Sequence, residues 1–227
     1  MKKFPIRIMV IVTLLMSLAV GCSSLDVVGK DALTSFEAFA KAPGNKFTLE
    51  TAEQAWVLHS PNDEHFIMTL DSALGLADVG LEFAATPFVN AGLDISKLPK
   101  NYTYDATEDT LTITVDLGNK AFSQKSKTSP QAAFAELLKA YRTSVGYHKE
   151  LDHYGIDFGD GNMFEWAKDL KTNSLDMVFV LNPEPFILAG VDPSKVEGWA
   201  FMKVPVMDAK GNTIQVDKIL KPYDISK

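Results

Sequence analysis

The chain repeats itself. Pro87-Phe88-Val89-Asn90-Ala91-Gly92-Leu93-Asp94-Ile95-Ser96-Lys97 and Pro185-Phe186-Ile187-Leu188-Ala189-Gly190-Val191-Asp192-Pro193-Ser194-Lys195 agree at seven of 11 positions, at an offset of 98. The same offset matches Phe36 with Phe134, Lys41 with Lys139, Ala42 with Ala140, Trp56 with Tyr154 and Phe66 with Phe164. Asp71 then meets Asp169, and Asp78 meets Asp176. A chance match between short motifs does not hold its register over this distance. The period is also too long for the common solenoids. Duplication of a small domain is therefore expected, with copy one at 32–123, a polar linker at 124–130 and copy two at 131–227.

Each copy reads as the same series of elements. Leu33, Phe36, Phe39 and Ala40 lie at helical spacing, as do Phe134, Leu137, Leu138 and Tyr141. Ser129-Pro130 supplies an N-cap and a first-turn proline for the second helix. A hairpin is expected from Trp56–Ser60 to His65–Leu70 around Pro61-Asn62-Asp63, with its twin around Gly159-Asp160-Gly161-Asn162. Third strands follow at Val79–Ala84 and Asp176–Leu181. The repeated motif then gives a helical turn started by Pro87 or Pro185 and stopped by Gly92 or Gly190, after which Asp94 or Asp192 caps a second brief turn. Two further strands close each copy. Thr110-Leu111-Thr112-Ile113-Thr114-Val115-Asp116 alternates strictly, so one face is buried and the other wet. The expected class is α+β: two tandem copies of an α-β-β-β-α-β-β unit with mainly antiparallel sheet.

The N-terminus sets an address. Lys2, Lys3 and Arg7 precede the 13-residue stretch from Ile8 to Val20, which is apolar except for Thr13 and Ser17. That is the pattern of a secretory signal. It is short of the roughly 20 residues of a spanning helix. Leu18-Ala19-Val20-Gly21-Cys22-Ser23-Ser24 closes it and resembles the signal of bacterial lipoproteins, although Ala19 stands where that family usually has Leu. The resemblance implies cleavage after Gly21 and a diacylglyceryl group on Cys22, often with further acylation such as palmitate. It also implies a tether over 22–31 and a domain outside the cytoplasm, at the outer membrane if the host has one, since Ser23 is not Asp. The alternative is an ordinary secretory signal cut at Gly21 or Ser23. Cys22 is the only cysteine, so the mature fold has no disulfide and depends on its core.

The signal holds three of the 22 basic residues and none of the 29 acids, leaving a net charge of −10 on the mature chain. That disfavours nucleic acid and electrostatic docking on anionic lipid.

Candidate sites are sparse. His59, Asp63, Glu64 and His65 resemble metal ligands, but their spacing fits no zinc pattern. Asp157-Phe158-Gly159-Asp160-Gly161-Asn162 suggests a calcium loop, yet Lys168 stands where its twelfth-position glutamate belongs. His148 and His153, with Glu150 and Asp152 between, do not form HExxH and read as surface residues. Ser96-Lys97 and Ser194-Lys195 lack the spacing of serine acyl enzymes. Trp166, Trp199 and Tyr154 suit a core as well as a pocket. No catalytic residue, cofactor or metal ligand is assigned. The expected function is a non-catalytic, membrane-anchored envelope lipoprotein that binds a protein or a small ligand, with the groove between the copies as the candidate place. The alternative is an extracytoplasmic hydrolase drawing on His153, Asp157 and Asp160.

Overall fold

A computed structural model describes residues 25–51, 54–70, 79–115, 124–140, 145–148, 151–158, 160–170, 175–207 and 212–225. Cys22, Tyr141, Glu150, Gly159 and the aspartates at 71 and 78 lie outside them.

Copy one runs α1 (Leu25–Ala40), β1 (Lys46–Glu50), β2 (Ala55–His59), β3 (His65–Thr69), β4 (Val79–Ala84), α2 (Thr86–Asn90), β5 (Tyr102–Asp105) and β6 (Thr110–Val115). Copy two repeats this as α3 (Pro130–Ala140), β7 (Val145–His148), β8 (His153–Asp157), β9 (Met163–Ala167), β10 (Met177–Leu181), α4 (Glu184–Leu188), β11 (Ala200–Met207) and β12 (Thr213–Tyr223). The strands form two six-stranded antiparallel sheets, ordered β1-β2-β3-β4-β6-β5 and β7-β8-β9-β10-β12-β11. The fold is α+β with two similar sheet units. Each unit has one strand more than the sequence reading counted. β1 and β7 are short edge strands, and pairing with β2 and β8 completes them.

The inner faces of the two sheets share one core. Duplicated positions meet across it. Phe36 stacks on Phe134 with ring centres 4.0 Å apart, Phe66 on Phe164 at 4.4 Å, and Phe88 packs against Phe186 at 4.8 Å. Three such pairs place a pseudo-twofold axis through the core. At one end lie the helices. α1 of copy one packs on the sheet of copy two, where Trp166 Nε1 donates to Ser35 Oγ (3.2 Å) and Ser35 Oγ lies 3.0 Å from the Lys168 carbonyl. In return, Trp56 Nε1 of copy one donates to the Ser126 carbonyl at 2.9 Å. The stretch read as a linker is thus a 3₁₀ turn over Gln124–Thr128 with Ser126 buried, leading to α3 through the Ser129 cap.

At the other end the repeated motifs meet. The Asp94 amide donates to the Ala189 carbonyl (2.8 Å) and the Asp192 amide to the Ala91 carbonyl (2.9 Å). Gly92 and Gly190 carry φ of 107° and 98° at this crossing. A Cβ on either would lie 2.7 or 2.9 Å from the carbonyl oxygen of the other. The motif's glycine is needed for both conformation and close approach.

Helix α1 starts at Leu25, inside the segment expected to be a loose tether. Among the described residues, no helix is long and apolar enough to cross a membrane.

Candidate functional site

Antiparallel pairing aligns one residue from each strand of the first sheet in a row perpendicular to the strands. On the outer face this row reads Lys46, His59, His65, Glu82, Thr112 and Thr103, each directly opposite the next. Most of its members hydrogen-bond along it. Glu82 Oε1 lies 2.8 Å from His65 Nδ1, His65 Nε2 lies 3.1 Å from His59 Nδ1, and His59 Nε2 lies 2.7 Å from Thr48 Oγ1. Thr48 Oγ1 also reaches Glu50 Oε1 at 2.8 Å, and Thr112 Oγ1 donates to Glu82 Oε2 at 3.2 Å.

Proton positions follow from this network. With both histidines neutral, His65 Nδ1–H donates to Glu82, His59 Nδ1–H to His65, and Thr48 O–H to His59. One added proton reverses the links beyond Glu82: His65 donates to His59, His59 to Thr48, and Thr48 to Glu50. The pair therefore takes one proton without losing a hydrogen bond. A second proton would leave two N–H groups facing each other 3.1 Å apart. The electrostatics agree. Burial, the neighbouring His65 and Lys46 all push the His59 pKa down. The hydrogen bond from His65 holds the Glu82 carboxyl below the usual carboxylate value, against the opposing effect of burial.

Beside this row lies a half-open groove of about 730 Å³, lined by His65, Glu82, Thr103, Tyr104 and Thr112, with Asp63, Asp105, Glu108 and Asp109 around them. Among the described residues, no lysine or arginine lines it. Asp63 and Asp109 come from the tips of two hairpins, both with left-handed φ (64° and 55°), so tight turns place those carboxylates.

The second copy supplies an internal comparison. Its equivalent row is Asp157, Met163, Val180, Leu220 and Ala200. Met163 and Val180 stand where copy one has His65 and Glu82, and Val180 and Leu220 belong to a small apolar cluster. The fold accepts apolar residues at these places, so it does not by itself require the polar row of copy one.

The other sequence candidates separate. Glu64 does not join His59 and His65. It is buried, ion-paired to Lys221 Nζ at 2.9 Å, and hydrogen-bonded by Ser60 Oγ (2.8 Å) and the Tyr223 hydroxyl of copy two. The calcium-loop segment is a hairpin turn: Asp160 accepts from the Asn162 amide (3.1 Å) and from its side chain (2.8 Å), and Asn162 also donates to the Tyr102 hydroxyl at 3.1 Å. Glu64 and Asn162 occupy duplicated positions, and each joins its copy to a tyrosine of the other. Ser96 and Ser194 donate to Asp94 and Asp192 at 2.6 Å, while Lys97 and Lys195 pair with the same carboxylates, so these residues cap turns. Trp166 and Tyr154 stack in the core, and Trp199 packs on Phe83 and Phe88. The space between the copies, where a ligand site was expected, is filled by these aromatic layers.

His148 and His153 are not surface residues. They face each other across the β7–β8 pair and flank Glu165, which is fully buried. His148 Nδ1 lies 3.0 Å and His153 Nδ1 3.7 Å from the Glu165 carboxylate, and His153 Nε2 donates to the Leu175 carbonyl at 2.9 Å. Burial works against ionisation of Glu165. The two histidines beside it, His148 first, outweigh burial and hold the carboxyl down to about 2. Testing the stretch only against HExxH, a helical spacing, hid this cluster. In an antiparallel pair, residues five apart can sit opposite each other. His153 thus turns to Glu165, whereas Asp160 accepts from Asn162.

Among the described residues, no group of three or more His, Cys, Asp or Glu is arranged to hold a metal ion. Comparison with protein-family models, curated proteins and solved structures finds no match to this chain.

Proposed function

We propose that this protein is a lipid-anchored bacterial envelope lipoprotein that acts as a non-catalytic binding module, and that it binds an organic cation bearing amine groups on the outer face of its first sheet. The observation that carries the reading is the polar row and acidic groove of copy one, set against Met163 and Val180 at the places of His65 and Glu82 in copy two. Carboxylates spread along a groove suit a ligand whose positive charge is also spread out, such as a linear polyamine. They suit a single metal ion less well, since that needs converging donors. Tyr104 adds an aromatic face, which attracts ammonium groups.

The anchor rests on the lipoprotein-like signal ending at Cys22. With α1 starting at Leu25, only Ser23 and Ser24 separate the acylated cysteine from the fold, three backbone steps with a reach of about 10 Å. The module would stand against the membrane surface.

Native mass spectrometry tests the binding claim. The full chain is released from detergent micelles with spermidine present. A spermidine adduct is expected for the natural chain and lost in the triple variant Asp105→Asn/Glu108→Gln/Asp109→Asn. An adduct of equal intensity in both would remove the groove as the site. For the anchor, labelled palmitate fed to expressing bacteria should mark the chain, and Cys22→Ser should abolish the label.

A further inference from the structure

Among the described residues, five large apolar side chains are exposed: Val89, Ile187, Leu188, Phe201 and Ile214. Four of them gather at the end where the repeated motifs cross. Val89 on α2 and Ile187 on α4 are duplicated positions, 41% and 47% exposed, and Leu188 beside them is 71% exposed. Both turns are tied to the crossing. The Gly92 amide donates to the Val89 carbonyl and the Gly190 amide to the Ile187 carbonyl, each at 3.0 Å. The two glycines are themselves exposed, so the pseudo-twofold axis leaves the molecule between these apolar side chains. Phe201 stands at the same end, opposite Ile219, which pairs with Leu181 just before α4.

The fold does not ask for leucine at 188. Copy one carries Asn90 at the same point of the same turn, also exposed. Phe88 and Phe186 supply the buried anchors of the two turns, so Leu188 adds little to the core. An exposed leucine beside two further exposed aliphatic side chains marks a contact surface. We infer that this apolar tip is an interface for a second copy of this chain, which docks tip to tip about a twofold axis. The inference is independent of the groove, which lies on the outer face of the first sheet.

Symmetry and charge select this occupant. The tip already lies on a pseudo-twofold axis. A second copy turned about a perpendicular axis meets Val89, Ile187 and Leu188 with the same three side chains, as an isologous contact requires. The rim carries both signs on each side of the axis. Asp94 pairs with Lys97 at 3.0 Å, and Asp192 pairs with Lys195 at 2.8 Å. Such a rim offers every carboxylate a lysine of the second copy, and every lysine a carboxylate. A polar rim of paired charges around an apolar centre is the usual anatomy of a protein interface. An anionic lipid surface fits less well, because both lysines already have a carboxylate beside them and the mature chain is net negative.

Photo-crosslinking and sedimentation test this on the full chain, assembled at one chain per lipid nanodisc so that the lipid does not itself join two chains. With p-benzoylphenylalanine in place of Asn90, light links α2 to whatever lies against it. The expected product is a chain-to-chain link whose far end maps to Thr86–Asn90 or Glu184–Leu188 of the second copy. Sedimentation of the discs should show them pairing. Leu188→Asn, which copies the residue of copy one, should weaken that pairing by about a hundredfold, because each side loses one buried leucine. Its urea midpoint should stay that of the natural chain, since Leu188 is 71% exposed. Discs that sediment singly, a link that maps elsewhere on the chain or to lipid, or equal pairing in Leu188→Asn would each overturn the inference.

Discussion

Replacing Gly190 by alanine tests the pseudo-twofold crossing at its tightest point. The φ of 98° is a conformation that side-chain-bearing residues rarely adopt. The left-handed region costs an L-residue about 1–2 kcal/mol. The new Cβ would also stand 2.9 Å from the Gly92 carbonyl oxygen, so the two turns must separate. Separation stretches the reciprocal bonds from the Asp94 amide to Ala189 and from the Asp192 amide to Ala91, 2.8 and 2.9 Å long. Each is worth about 1 kcal/mol net. Together these give a loss of about 2–4 kcal/mol. The same chemical change at Gly29 provides a control. Gly29 lies in α1, and a Cβ there would meet nothing within 4 Å. Gly29→Ala should raise stability by about 0.5–1 kcal/mol, because alanine favours helix. Urea unfolding followed by tryptophan fluorescence measures both. Equal stability for Gly190→Ala and the natural chain would refute the claim that this crossing is held by two facing backbones with no room for a methyl group.

Other outcomes follow from the same physics. Glu165→Gln should destabilise the fold by about 3 kcal/mol, since removing one partner of a buried charge cluster strands the rest. The Glu165 carboxyl is held down to about 2, so its contribution is fully present above the ordinary carboxylate range and is lost as pH falls towards 2. Acid titration of stability should therefore be steeper in the natural chain than in Glu165→Gln below about pH 4; parallel curves would contradict the assignment. Phe66→Ala and Phe164→Ala should each cost about 3–5 kcal/mol. Their double-mutant cycle should show a coupling of about 1 kcal/mol, read from denaturant midpoints, because the rings stack across the copies. Both single variants should unfold in one transition; two separate transitions would mean that each copy holds its own core.

Much of the fold was legible because local rules and tertiary structure agree. The offset of 98 exposed the duplication, and the Pro, Gly and Asp of the motif each announced a backbone task that the structure bears out. β1 escaped notice although Lys46-Phe47-Thr48-Leu49-Glu50 alternates, since five residues of half-buried edge strand carry a weak signal. β7 carries weaker signal still, with Gly146 inside it. The candidate site was legible only in part. His59 and His65 drew attention as a pair, but Glu82 and Thr112 join them through strand register, which no local pattern reports. Glu64 was drawn in by proximity in sequence, whereas alternation along a strand sends neighbours to opposite faces.

The sequence by itself determined the signal-like N-terminus, the duplicated unit, the turns and the buried face of the alternating strand at Thr110–Val115. These depend on interactions within a few residues, or on identity between the copies. The tertiary structure alone decided that α1 crosses to the sheet of copy two, that duplicated phenylalanines meet on one axis, and that Glu165 is enclosed by two histidines. It also decided that His59, His65, Glu82 and Thr112 line up in one row beside a groove. Those outcomes depend on which strands lie side by side, and pairing across a sheet joins residues far apart in the chain whose side chains carry no mark of their future neighbours.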